Sequence, residues 1–243
     1  MRLSLALDLH SSGVTPVKWI NVFPAAFQVV QSDYLLTTSG GVVSGMFDQA
    51  ASPNHYAQAT GSKQPLLTTG LNGKPGVLGD GVDDSLTSAL TIAAPGTTPY
   101  TVFLVGRQVS WVINKRIVGP TSSTNGSGSI LMRTATPNIS MGSTAFANDS
   151  TGAPVGQFVA LSAFFSNSTS DWLKIGSSGK VTGASAGSTT GTGREIFSSA
   201  GSNFSNFEIL MLAYVPGDGS ALDTVWRSIV NSPAGYGSGN VLV

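Results

Sequence analysis

The run GLNGKPGVLGDGVDDSL, Gly70–Leu86, sets four glycines ahead of three aspartates and then turns apolar. Asn72-Gly73 and Asp80-Gly81 are turn dipeptides, because glycine reaches positive φ without steric cost and a short polar side chain bonds its own backbone. Asp83 and Asp84 stand just before Leu86, where side-chain-to-backbone hydrogen bonds fix the entry into a strand. Calcium is the competing reading, but it takes about six to eight oxygen ligands. Three aspartates outside an EF-hand loop are too few. Asn72, Gly73, Asp80, Gly81, Asp83 and Asp84 are therefore expected as structural turn residues, with no metal and no cofactor.

The same punctuation recurs in both directions from this stretch. Short apolar or alternating runs lie between Gly/Ser/Thr clusters: Met1–Leu9, Tyr34–Thr37, Tyr100–Arg107, Trp111–Val118, Ser129–Arg133, Phe158–Phe165, Trp172–Ile175 and Phe207–Val215. Many short strands separated by turn signals predict an all-β, two-sheet antiparallel jelly-roll sandwich. In FVALSAFF, Phe158–Phe165, both alternate sets are largely apolar, which marks a strand covered on two faces. ILMLAYV at 209–215 reads the same way. The Ser/Thr/Gly-rich stretches 120–129 and 176–193 read as surface loops, since strands continue on both sides.

One segment departs from the β pattern. Leu222, Val225, Trp226, Ile229 and Val230 recur at helical spacing, which predicts one short C-terminal amphipathic helix with Ser220 as N-cap and Pro233 as the stop. Asp223 falls where a capping-box acid belongs, and Trp226 is expected to pack the helix on the sandwich.

A chain of 243 residues fits one β-sandwich domain, which commonly runs to about 200–250 residues. Apolar residues make up 41% and charged residues 10%, against about 25% charged in an average domain. Twelve basic and twelve acidic side chains cancel, so nucleic acid is not an expected partner. The absence of cysteine removes disulfides and thiolate metal sites. No run approaches the about 20 apolar residues of a membrane helix, and Asp8 and His10 interrupt the N-terminal run before signal-peptide length.

Catalysis finds little support. A glycosidase needs two carboxyl groups flanking the scissile bond, and nothing local pairs Glu195 with Glu208. His10 and His55 lack metal-ligand spacing, there is no G-x-S-x-G elbow, and GDG at 79–81 lacks a phosphate-loop ending. The chain is expected not to be an enzyme.

MFDQAASPNHYAQATGSKQP, Met46–Pro65, followed by LNGKPGVLGDGVDDSL, resembles the concanavalin A-like lectin/glucanase superfamily in its laminin-G-like form. That family shows W-x-D-Q-S-G-N-x-x-x-A-x-Q, then L-N-G-x-P-x-V-x-F-D-G-x-D-D-x-L. Asp48-Gln49, Asn54, Ala57, Gln58 and Pro65 match the first element and Leu71–Leu86 the second, while Phe47 stands near the usual Trp and Leu78-Gly79 replaces the pair before Asp80-Gly81. YTVFLVGR, NFEILMLAYVPGDGSALDTVWRSIV and SPAGYGS resemble later elements in the same order. The resemblance implies a jelly roll in which D-G-x-D-D is framework, and the E-x-D-x-x-E strand of its glucanase branch is absent here.

Two functions follow as expectations. On such a sandwich a sugar stacks on an aromatic ring at a rim, with amides or carboxylates bonding its hydroxyls. Trp172 with Asp171, Trp111, and Tyr56 with Asn54 and Gln58 are the candidates. The low charge, the absence of cysteine and export signal, and the Ser/Thr/Gly loops suit a phage virion protein, a decoration or tail/fibre component on the particle surface. Its partners would be other virion proteins, further copies of itself and host glycans, with purely structural decoration as the alternative and a bacterial surface lectin as a third. Residues 1–40 are expected to serve assembly, with the apolar segment Val14–Gln31 either docking on a neighbour or folding on this chain's own core.

Overall fold

The computed structural model describes residues 17–34, 36–51, 53–94, 97–122, 129–132, 139–142, 146–149, 153–166, 168–183, 192–237 and 241–242. The expected strand at Met1–Leu9 and His10 lie outside these residues. Strands run, in chain order, β1 Gln28–Gln31, β2 Leu36–Ser39, β3 Val42–Met46, β4 Tyr56–Ala57, β5 Leu66–Thr69, β6 Pro75–Leu78, β7 Leu86–Ser88, β8 Tyr100–Gln108 and β9 Lys115–Gly119. They continue as β10 Ile130–Met132, β11 Ile139–Gly142, β12 Phe146–Asp149, β13 Phe158–Phe165, β14 Trp172–Ile175, β15 Val181–Thr182, β16 Arg194–Ile196, β17 Phe207–Pro216 and β18 Val241–Leu242. Among the described residues one α-helix, α1 Ser220–Val230, precedes β18.

Antiparallel pairing builds two layers. The first runs β1-β17-β8-β13-β14-β15. The second runs β2-β3-β4-β7-β16-β9-β10-β11-β12. The β5-β6 hairpin links them, since β5 pairs with β3 and β6 with β17. β18 adds a short parallel pairing to β13. The architecture is the all-β jelly-roll sandwich with one helix that the spacing of strands and turns predicted.

Side-chain alternation explains the layers. Val102 and Leu104 of β8, Leu161 and Ala163 of β13, and Leu212 and Tyr214 of β17 face Ile117, Ile130, Ile139 and Ile196 of the second layer. The other faces of the same strands, with Phe103, Val105, Ala160, Met211 and Ala213, lie under Trp19, Phe23, Trp226 and Tyr236. The Trp226 ring meets Phe103 edge-on at 5.0 Å between centroids. The expected Trp111–Val118 strand begins only at Lys115, directly after Asn114, whose left-handed backbone at φ 61° departs from extended geometry.

The helix end differs from expectation. Gly219, not Ser220, is the N-cap residue, and Asp218 Oδ1 accepts the Ser220 N–H at 2.9 Å. Asp223 is no capping acid, because it faces the sheet. Its carboxylate accepts from Arg227 Nε at 2.9 and 3.0 Å, Ser162 Oγ at 2.6 Å and Lys174 Nζ at 3.0 Å. Arg227 Nη1 also donates to the Ala160 and Gly176 carbonyls, each at 2.9 Å. A buried guanidinium needs a counter-charge more than an exposed helix start needs a cap.

Residues 17–31 lie on this chain's own core. Trp19 stacks on Phe23 and Tyr236, at 6.5 and 6.1 Å between centroids, and β1 pairs with β17 along its four residues. Deleting residues 1–31 should therefore abolish the cooperative urea transition, since it strips β17 of its neighbour and uncovers Phe103. A truncated chain with an unchanged midpoint and slope would show that these residues are an appendage.

Candidate functional site

Register brings one set of strand ends together. Phe165 pairs with Tyr100 and Tyr100 with Pro216, Gln28 pairs with Tyr214, and Arg194 pairs with Ser88. Gln28 Nε2 crosses between the layers to Ser88 Oγ at 2.9 Å. Asn54, Tyr56, Asp171 and Trp172 belong to this end. Trp111 follows β8 at the opposite end, half-buried beside exposed Val112 and Ile113. Gln58 is turned away from both rims, donating to the Ser85 carbonyl at 3.1 Å and accepting the Thr60 N–H at 3.0 Å.

The Trp172 ring is only 3% exposed, because it starts a strand on the helix-bearing face instead of standing on a loop. Its Nε1 donates to Asp218 Oδ1 at 3.2 Å, and Lys180 Nζ lies 4.1 Å over the ring. Lys180 is exposed and also donates to Ser220 Oγ. Asp171 is buried and accepts the Ser166 N–H and hydroxyl at 2.6 and 2.5 Å, an Asx-type lock on the loop entering β14. A sugar reaching Trp172 would have to displace Lys180.

The Asp48–Tyr56 loop is held from within. Asp48 accepts the N–H groups of Val29, Ala50 and Asn54 at 2.8, 2.9 and 2.7 Å, and its own N–H donates to His55 Nδ1 at 3.0 Å. The Asn54 carbonyl accepts from Gln28 Nε2 and Ser88 Oγ, so this loop is clamped to both layers. Tyr56 points between the layers and is 1% exposed.

Behind that loop lies a polar patch that sequence reasoning missed. Arg194 is 1% exposed, with its guanidinium carbon 5.9 Å from the Tyr100 ring centre and 5.5 Å from that of Tyr214. Nη1 reaches the Gly193 carbonyl at 3.2 Å. Its Nε and Nη2, the Tyr100 hydroxyl and Gln28 Oε1 have no hydrogen-bond partner, while the Tyr56 and Tyr214 hydroxyls lie within reach of one another as a pair. Burial raises all three phenols, so they remain neutral. The only sequence signal was REI, in which Arg194 shares a strand face with buried Ile196.

The acids elsewhere are tied into the framework. Glu208 is buried, accepting from Arg107 Nε at 2.6 Å and Thr68 Oγ1 at 2.5 Å. A Cβ on Gly76 would fall 2.1 Å from Glu208 Oε1, so glycine there makes room for the carboxylate. Glu195 accepts from Ser198 Oγ at 2.8 Å and from the Gly201 N–H at 3.1 Å.

In the 70–86 stretch, Asn72 and Gly73 take φ 53° and 75° between β5 and β6, with the Lys74 N–H returning to the Leu71 carbonyl at 3.1 Å. This is hairpin geometry with two left-handed central residues. Asp80 Oδ1 accepts the N–H groups of Val82, Asp83 and Asp84 at 2.7, 3.3 and 3.4 Å, and Asp84 Oδ2 accepts the Asp80 N–H at 3.0 Å. Gly81, at φ 81°, lets the loop close. One oxygen from each of Asp80, Asp83 and Asp84 lies within 4.8 Å of the others, three donors against the about six to eight of a calcium site.

No family profile matches the sequence and no curated protein matches it. Among solved structures, an arabinofuranosidase complexed with arabinofuranosyl-α-1,2-xylobiose is similar at TM-score 0.61 and 14% identity, over 88% of this chain and 60% of that one. A structure describing cell entry of botulinum neurotoxin type C through two ganglioside molecules gives 0.58 and 11%, over 87% and 53%. The binding domain of botulinum neurotoxin DC in complex with SialylT gives 0.56 and 8%, over 85% and 51%. At these identities the likeness shows the β-sandwich fold, and this chain spans less than two thirds of each neighbour.

Burial pushes the Asp84 carboxyl up from 3.8 to about 6, with the Asp80 and Asp83 charges adding to it against the bond from the Asp80 N–H. The folded chain thus binds this proton more tightly than the unfolded chain. The group costs stability as pH rises from 3.8 through about 6, and the cost is constant above that. Asp84→Asn, which keeps an acceptor oxygen, should raise Tm above pH 6 relative to the parent, with the gap closing toward pH 4. A gap that does not change across that range would mean Asp84 is not held up by burial.

Proposed function

We propose that this chain is a non-enzymatic glycan-binding β-sandwich of concanavalin A-like type, carried on the surface of a phage particle as a decoration or tail/fibre component. The observation carrying the sugar reading is the gathering of Trp172, Lys180, Asp218 and the Asn54 loop at one rim of a fold whose structural neighbours were captured with arabinofuranosyl-xylobiose and SialylT. An indole under an exposed lysine and bonded to a carboxylate has the chemistry that stacks a pyranose and bonds its hydroxyls. Against hydrolysis stands the use of Glu195 and Glu208 as acceptors for framework donors, where a glycosidase needs a facing pair of carboxyl groups. The particle setting is supported by a chain with only 10% charged residues and by the lack of cysteine.

The full chain should bind saturably to a subset of a glycan array and to intact bacterial cells. Lys180→Ala, an exposed change that uncovers Trp172, should tighten that binding several-fold if the indole is the platform. Unchanged affinity would move the sugar away from Trp172, and a folded protein that binds no glycan would defeat the glycan reading.

Antibody raised against the chain should label gradient-purified phage particles from the source culture. Confinement of the antigen to the cell envelope instead would favour a bacterial surface lectin.

A further inference from the structure

We infer that the interior patch around Arg194 is a binding site for a small inorganic anion of halide size, chloride under ordinary conditions, held by Arg194 and the hydroxyls of Tyr56, Tyr100 and Tyr214. The inference stands apart from the glycan reading, because it concerns the space between the layers and not the rim.

Charge is the first argument. Arg194 is 1% exposed, and among the described residues no carboxylate lies within ion-pair distance of it, although Asp33, Glu208 and Asp223 each hold a cation. The two tyrosine ring faces give it partial compensation. A guanidinium keeps its proton in any protein environment, and Asp48 and Asp171 act through their fields on Tyr56 and Tyr100 without pairing with Arg194, so the guanidinium has no direct counter-charge.

The second argument is the set of atoms left over. Arg194 Nε and Nη2 can only donate, and the Tyr100 hydroxyl and one hydroxyl of the Tyr56–Tyr214 pair keep a proton to turn toward a guest. Tyr100 and Tyr214 lie 6.2 Å apart between ring centres, and the Tyr56 hydroxyl feels both Arg194 and Tyr214, so these groups surround one region. Water could accept some of these bonds but would leave the charge unbalanced, whereas an anion answers both. Gln28 Oε1, an orphan acceptor beside the same patch, then suits a companion water.

Size is the third argument. Tyr100 and Tyr214 are fully buried and Tyr56 and Arg194 are 1% exposed, and Tyr56 sits behind the loop clamped by Asp48. A sugar carboxylate would need the layers to part, while a halide needs only a fluctuation of that loop.

The test uses the full-length protein at constant ionic strength, replacing sodium methanesulfonate by sodium chloride or bromide. Tm should rise saturably by a few degrees with either halide, as for any ligand that binds only the folded state. Arg194→Met should lose that dependence and Tyr214→Phe should weaken it. Crystals of the wild-type protein grown with bromide should show an anomalous peak between Arg194 and the tyrosines, a readout that stands even if Arg194→Met fails to fold. The inference is overturned if halide and methanesulfonate give the same Tm, if Arg194→Met keeps the full response, or if the bromide map shows only water.

Discussion

Strands β8, β13 and β17 are apolar on both faces, and the two clusters that cover them contain most of the buried aromatic rings of the described residues. A strand of that kind leaves about 25 cal/mol of unfavourable free energy for each Å² of apolar surface left wet, so one partner layer is not enough. The second layer covers the inner face. On the outer face the segment Trp19–Phe23, helix α1 and the Tyr236 turn lie side by side, joined by the stacked rings of Trp19, Phe23 and Tyr236. The two ends of the described chain are thereby parts of one lid.

That lid is pinned by charge as well as by rings. Ser162 and Lys174 interrupt the apolar outer face of β13 and β14, and Asp223 and Arg227 of α1 answer them. Burial by itself would raise the Asp223 carboxyl, but Arg227, Ser162 and Lys174 hold it below the usual carboxylate value. Removing one partner of such a buried pair typically costs about 3–5 kcal/mol because the other charge is stranded. The arrangement fixes where along the sheet the helix sits, a register that rings alone would leave loose.

A sequence with 10% charged residues uses its acids sparingly and mostly for construction. Asp48, Asp80 and Asp171 each gather backbone N–H groups of their own loops, and Glu208 closes the approach of Gly76 to β17. The Arg194 patch is the exception, a buried polar cluster at the rim end of the sandwich in which Arg194 Nε and Nη2, the Tyr100 hydroxyl and Gln28 Oε1 have no partner. Each orphan of this kind costs about 1–3 kcal/mol, which the rest of the core must offset.

The amino-acid sequence determined what local chemistry can encode. Period-two runs bounded by Gly, Asn and Asp placed β8, β13, β14 and β17, helical spacing placed α1, and Asn72-Gly73 and Asp80-Gly81 carry their turns in their own backbone preferences. Tertiary structure decided everything that depends on which face meets which. Trp172 beside polar Asp171 looked like an open platform at the rim, but strand alternation turns it under Lys180 and the helix start. Asp223 looked like a cap, but the sheet beneath it supplies Ser162, Lys174 and a buried Arg227. Arg194, one residue of a three-residue strand, gave no signal beyond sharing a face with Ile196, because its meaning comes from tyrosines on three other strands far apart in the chain. Local propensity is read from neighbours in sequence, and a site is made by neighbours in space.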